Sequence, residues 1–246
     1  MISCRGRAAA FAAAAVLILS LLVAGAAGAQ SLKVLPVNIQ MSPGEKAATL
    51  TVTNDGNAPT AIQIRAYDWK QVDGKDTLTA SSNVLASPPV ATIAPGDSQV
   101  VRLVLRRPPE EREATYRILL DQIPPATEPG VIHMVLRLSI PIFAQPTTRA
   151  VPRLQFHIET EVGKIYLVGT NDGLRHEAIR NLELSTTDGR KLTPDSGASP
   201  YILAGATRRW AFAMQGMQPI ANEVLRMTAQ ADSGKIDQQV RFAGIP

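Results

Sequence analysis

Residues 131–143 read VIHMVLRLSIPIF. Ile132, Met134, Leu136, Leu138, Ile140 and Ile142 share one parity; Val131, His133, Val135, Arg137, Ser139, Pro141 and Phe143 fill the other. A period of two predicts a β-strand with one wholly apolar face. From Ile132 to Ile142 it would extend about 33 Å at roughly 3.3 Å per residue, well beyond a usual strand of about 5–6 residues. Pro141 has no ladder donor, which predicts an edge, a bend or a domain junction at the far end. A long apolar strand near an edge invites aggregation unless something covers it. Two readings follow from the stretch alone. It is a long core strand shared by two packed sheets, or a strand lent to another protein's incomplete sheet.

Working outward, turn signals recur at strand-like intervals. Ser42-Pro43-Gly44 separates residues 32–41 from 47–53, and Asn54-Asp55-Gly56 precedes residues 61–67. Val72-Asp73-Gly74 reads as a hairpin tip. Pro95-Gly96-Asp97 precedes the alternating residues 98–106, and Pro124-Pro125 ends residues 116–122. About seven strands in this half, with no convincing helix, is the count of an immunoglobulin-like sandwich without its disulfide. Gln145-Pro146-Thr147-Thr148-Arg149-Ala150 then interrupts the apolar pattern. Beyond it, residues 154–161, 164–170, 178–186, 201–204, 208–214, 224–231 and 235–242 resume the strand rhythm. The predicted fold is all-β: two successive β-sandwiches, residues 30–146 and 147–246, with a cleft between them.

Residues 1–29 read as a secretory signal peptide. Arg5 and Arg7 precede an apolar run over residues 8–26, and Ala27-Gly28-Ala29 forms a small-residue cleavage site. A retained membrane anchor is the other reading, since the run approaches spanning length. Cys4, the single cysteine, falls within the signal. The remaining chain is expected in the periplasm without disulfides, stable through its core alone. Loss of Arg5 and Arg7 lowers the formal charge from +4 to +2, too little to argue for nucleic acid. Eighteen prolines, seventeen glycines and only 4% aromatics suit short strands joined by turns.

Turnover chemistry finds little support. His133, His157 and His176 lack metal-ligand spacing. There is no Gly-x-Ser-x-Gly, phosphate loop or HExxH. No enzyme, cofactor, metal or small-molecule substrate is expected. A secreted two-domain adhesin or binding module is the main alternative to an assembly factor, because fold alone does not fix function. An adhesin, however, would gain nothing from an exposed apolar edge.

Three blocks in order carry a family resemblance. They are residues 45–54, EKAATLTVTN; Ser87-Pro88-Pro89 through Pro95-Gly96 to Val101-Arg102; and Glu113 through Tyr116 to Ile123-Pro124-Pro125. Over residues 31–146 the chain resembles periplasmic pilus-assembly chaperones of the PapD-like superfamily; beyond, strand rhythm is the main support. Tyr116-Arg117, the Ile-Pro-Ile-Phe at residues 140–143 and the hydrophobic-rich first strand resemble its non-classical, archaic branch, associated with spore-coat-U-like pilins. The resemblance implies two immunoglobulin-like domains in an L-shaped boomerang. It implies that Ile132, Met134, Leu136 and Leu138 insert into a pilin subunit by donor-strand complementation. The partners implied are pilin subunits and an outer-membrane usher, with no nucleic acid and no ATP.

The family's better-known branch anchors the subunit's C-terminal carboxylate with an Arg on the first strand and a Lys near the end of the donor strand. Those positions are Asn38 and Pro141 here, and an Arg after the domain junction is replaced by Gln145. Arg117, on the strand before the donor, is the preferred substitute, and Arg153 the second candidate. The bland alternative for Arg117 is an internal pair with Glu113 or Asp121.

Overall fold

The structure, a computed structural model, describes residues 32–124, 134–161, 164–195, 199–213 and 224–241. The signal segment and Ile132 lie outside the described residues. The first half contains β1 (Leu32–Leu35), β2 (Ile39–Met41), β3 (Ala47–Asn54), β4 (Thr60–Val72), β5 (Lys75–Ala80), β6 (Val84–Ser87), β7 (Val90–Ile93), β8 (Ser98–Leu105), β9 (Ala114–Ile123) and β10 (Arg137–Ala144). The second contains β11 (Leu154–Glu161), β12 (Lys164–Asn171), β13 (Glu177–Ser185), β14 (Lys191–Leu192), β15 (Tyr201–Ile202), β16 (Thr207–Ala213), β17 (Val224–Ala231) and β18 (Gly234–Arg241).

The first domain packs a four-stranded sheet, β1-β3-β8-β6, on a six-stranded one, β2-β10-β9-β4-β5 with β7 beside β4. The second packs β11-β12-β16 on β14-β13-β17-β18, with β15 beside β13. Alternation along the packed strands supplies the cores. Leu50, Val52, Ile62, Leu103, Ile118 and Leu120 fill the first; Ile158, Leu167, Trp210, Phe212, Leu225 and Met227 fill the second.

The structure corrects several sequence-based boundaries. The expected strand over residues 32–41 splits at Pro36, and the pieces join different sheets: β1 pairs with β3, β2 with β10. One strand thereby crosses between the layers of the sandwich. β4 continues past Tyr67 to Val72 because its charged end pairs with β5 rather than the core. β5 itself is exposed along its whole length, so it carries no apolar alternation to read. The hairpin tip is as expected, with Asp73 and Gly74 both at positive φ.

The long strand is shorter than its pattern. β10 begins at Arg137, and residues 134–136 precede it without strand geometry. Its antiparallel partner is β9 throughout, and its other side meets β2, in parallel, only over Ile142–Ala144.

A third, small cluster joins the domains: Trp69, Phe143, Leu203 and Ala206, with Tyr201 against it. The Phe143 ring stacks on His176 with centroids 3.5 Å apart, and the Trp69 ring lies 5.8 Å away. Beneath that stack, the buried Glu113 carboxylate accepts from the His176 backbone N–H at 2.9 Å and meets Nδ1 of its ring at 2.6 Å. Gln71 extends the seam, donating to the Tyr201 carbonyl and accepting from the Leu203 N–H. His176 thus has a structural place, and among the described residues no His, Cys, Asp and Glu cluster could hold a metal.

Phe143 is fully buried, so Phe143→Ala should cost about 3–5 kcal/mol. Urea unfolding should show this, with a second, lower transition as the domains uncouple. A loss below about 1 kcal/mol would mean the seam is not a cooperative part of the fold.

Candidate functional site

The geometry of β10 creates an open ladder. Gln122 donates to the Leu136 carbonyl at 2.9 Å, and the Leu136 N–H returns to the Gln122 side chain at 3.2 Å. Even-numbered residues of this segment therefore turn their backbone groups toward β9. Odd-numbered ones turn theirs away, as the Gln145 N–H bond to the Met41 carbonyl of β2 confirms. Arg137 and Ser139 consequently present N–H and C=O groups to a side where no described strand pairs with them. Pro141, facing the same way, has no N–H to present, and β2 takes over at Ile142. This is an edge open to strand addition along one stretch and closed beyond it.

The apolar parity changes role along that edge. Ile142 and Ile140 are buried in the domain's own core, and Leu138 is half-buried against it. Leu136 is 38% exposed and Met134 92%, with Val135 at 52% on the other parity. The core reading of residues 131–143 therefore holds for Ile140 and Ile142, while the exposed end at Met134 and Leu136 is what the lent-strand reading requires. The surface free for an intermolecular groove is centred on Met134 and Leu136, with Leu138 at its margin. Burying two such side chains is worth roughly 3–6 kcal/mol gross.

Arg117 stands on β9 directly opposite Pro141. It therefore lies one strand away from the position where the better-known branch carries its Lys. Neither internal pair weighed for it forms. Glu113 is taken by His176, and Asp121 is taken by Arg65, at 2.6 Å, and by Arg137. Among the described residues no carboxylate pairs with Arg117. Its guanidinium lies 3.7 Å above the Trp69 ring and 5.8 Å from that of Tyr201, and donates one long bond, 3.4 Å, to the Ser139 carbonyl. Burial pulls its pKa down, against the more distant pull of Asp76 and the Tyr201 ring. It remains a cation, held by a π-face and short of acceptors.

Arg153 is elsewhere. It is exposed just before β11, and its backbone bonds to Asn171 and Asp172. It does not line a cavity of about 660 Å³ between the domains that Arg117, Trp69, Lys75, Asp76 and Arg208 line. The structure thus brings Arg117, but not Arg153, beside the open edge. Sequence reasoning missed Trp69, Asp76 and Arg208. The available signal was Trp69 itself, one of only two tryptophans, at the polar end of a strand.

Asp121 pins the start of the edge. Burial alone would raise its pKa, but the hydrogen bonds from Arg137 and Arg65 hold it below the usual carboxylate range. A carboxyl depressed on folding contributes stability above its unfolded pKa of about 4, and loses it as pH falls through the folded value. Asp121→Asn should therefore destabilise the protein at pH 7 and make progressively less difference below about pH 4. Urea midpoints across that range decide; a gap independent of pH would remove the linkage.

Residues 31–150 match the family described as pili and flagellar-assembly chaperone, PapD N-terminal domain. The chain is 29% identical over 107 residues to the chaperone protein PapD of Escherichia coli, covering 42% of this chain and 43% of that one. It is 24% identical over 126 residues to the chaperone protein FimB/FhaD of Bordetella pertussis, covering 47% and 51%. The matches thus span about half the length of these curated relatives. Among solved structures, the CsuC–CsuE chaperone–tip adhesion subunit pre-assembly complex from archaic chaperone-usher Csu pili of Acinetobacter baumannii aligns with a TM-score of 0.65 at 23% identity, over 86% of this chain and 98% of that one. The YadV chaperone aligns with a TM-score of 0.61 at 16% identity, over 86% and 99%. The fold of both domains is therefore that of these chaperones, and residues 31–150 are similar to the N-terminal domain of PapD-like pilus-assembly chaperones.

Proposed function

We propose that this protein is a periplasmic chaperone that captures pilus subunits by donor-strand complementation and delivers them to an outer-membrane usher. The observation that carries this reading is the open ladder at Arg137 and Ser139, continuous with the exposed Met134 and Leu136. A subunit lacking one strand has a dry groove and an unpaired edge; this stretch offers the apolar side chains and the backbone groups that both require. No ATP and no cofactor enter, because structure is lent and then surrendered to a competing strand. Ile132, Met134, Leu136 and Leu138 are the donor residues, and Arg117 the anchor for the subunit's C-terminal carboxylate. Cleavage after Ala29 would release the chain into the periplasm. The Tyr116-Arg117 pair, the Ile-Pro-Ile-Phe ending and the hydrophobic-rich first strand support an assignment to the archaic branch of the pathway.

Met134→Asp and Leu136→Glu should each abolish subunit capture, because an unpaired charge would enter the groove. Melting of the free chaperone should barely change, since both side chains are exposed. Co-purification from periplasm with small secreted subunits, alongside melting curves, provides the test. Retained capture in both variants would sink the donor-strand role.

Arg117→Ala should weaken the subunit complex by about 2–5 kcal/mol, as for a desolvated charge pair. Arg137→Ala, which removes a largely exposed guanidinium paired only within its own domain, should weaken that complex by under about 1 kcal/mol. Equal effects in competition binding would remove Arg117 from the anchor.

A further inference from the structure

The interdomain cavity is rich in donors and poor in acceptors. Its lining includes the cations Lys75, Arg117, Arg208 and Arg209, and a single carboxylate, Asp76. Arg209 is already committed to Glu159 and Glu161, at 2.9 and 2.7 Å. Arg208 is not well satisfied. Its side chain is nine-tenths buried, yet Nη1 reaches only the Gly74 carbonyl at 3.3 Å and Asp76 Oδ1 at 3.4 Å. Among the described residues its Nε has no partner, nor does Trp69 Nε1. Asp76 Oδ1 is shared, since Gln71 also donates to it at 3.0 Å. Buried donors without acceptors are costly, and most folds avoid them. A carboxylate is acceptor-only and fits a guanidinium fork, so it is the group this lining lacks.

We infer that this cavity is a carboxylate site built by both domains, with Arg117 from the first and Arg208 from the second as its cations, and with Asp76 as a resident carboxylate that an incoming one must displace. The inference deepens the function proposed above, on which Arg117's role as anchor rests, and adds two features to it. The anchor is divided between the domains, so occupancy fastens the seam. Asp76 sets the affinity: by holding Arg208 in the empty state it weakens the grip on any incoming carboxylate and eases its release.

Acetate tests this without a subunit. The probe is the ¹⁵N-indole resonance of Trp69 in the chain from residue 30 onward, assigned with Trp210→Phe, titrated with acetate against chloride at constant ionic strength. The Trp69 resonance should move saturably with acetate and not with chloride. Arg208→Gln and Arg117→Gln should each weaken acetate binding about ten-fold, a loss of about 1.4 kcal/mol. Asp76→Asn should strengthen it several-fold. Arg208→Lys, which keeps the charge, should fall between wild type and Arg208→Gln and guards against a folding defect in the latter. A linear shift shared by Trp69 and Trp210, unchanged acetate affinity in Arg208→Gln, or weaker binding in Asp76→Asn would each overturn the inference. Failure of the chaperone reading would look different: loss of the Met134 and Leu136 dependence of subunit capture, with the acetate response intact.

Discussion

The structure turns on where the ladder between β10 and β2 stops. Three residues, Ile142 to Ala144, are paired on both sides; among the described residues the rest of β10 is paired on one. If β2 ran further, the edge would be sealed and the apolar parity of residues 134–142 would belong wholly to one core. If β2 were absent, a long hydrophobic edge would be a site for indiscriminate association. The division lets one strand serve as core, as seam and as open edge. Ile140 and Ile142 hold it in the sandwich, Phe143 fixes it to the second domain, and Leu136 and Met134 extend beyond both.

Placing those roles on one strand couples them. Phe143 alternates with Ile142, so the face of β10 opposite the core packs against His176, itself held by the buried Glu113. The strand's free portion therefore projects from a junction that cannot rotate without breaking the ring stack and the hydrogen bonds beneath it. The β4–β5 hairpin braces the same junction, through Gln71 and through the contacts of Gly74 and Asp76 with Arg208. Preorganisation of this kind lowers the ordering cost of any strand that docks alongside.

Much of this was legible in the sequence. Period-two patterning found the main core strands, and turn residues the hairpin tip at Asp73-Gly74, because those positions are dictated by burial and by positive φ. It also found the decisive segment, and Pro141 as the mark of a change in that segment's surroundings. It overstated the strand's regular length, because alternation records which side chains are apolar and not where backbone pairing ends. It missed β5, whose exposed residues have no face to alternate. The site was half legible. Arg117 stood out as a cation in an apolar strand, but the aromatic bed beneath it comes from Trp69 and Tyr201, 132 positions apart in the chain. Arg208 and Asp76 meet across a comparable separation. Such pairings are set by how two domains pack, which no local pattern encodes.

Pro141 has one more effect. Its missing N–H faces the open side, and Arg117 stands opposite it on β9. A strand zipping along β10 from Met134 finds outward backbone groups at Arg137 and Ser139, and then loses its next donor. The edge thus has a built-in length gauge, and the gauge ends beside a cation. A docked chain that continued past this point would have unpaired amides next to β2; one that terminated there would set its last carboxylate where the ladder ends. Under the donor-strand proposal the proline would select for ends over middles, and so distinguish a chain terminus from the many internal segments of similar hydrophobicity that an unguarded edge would also accept.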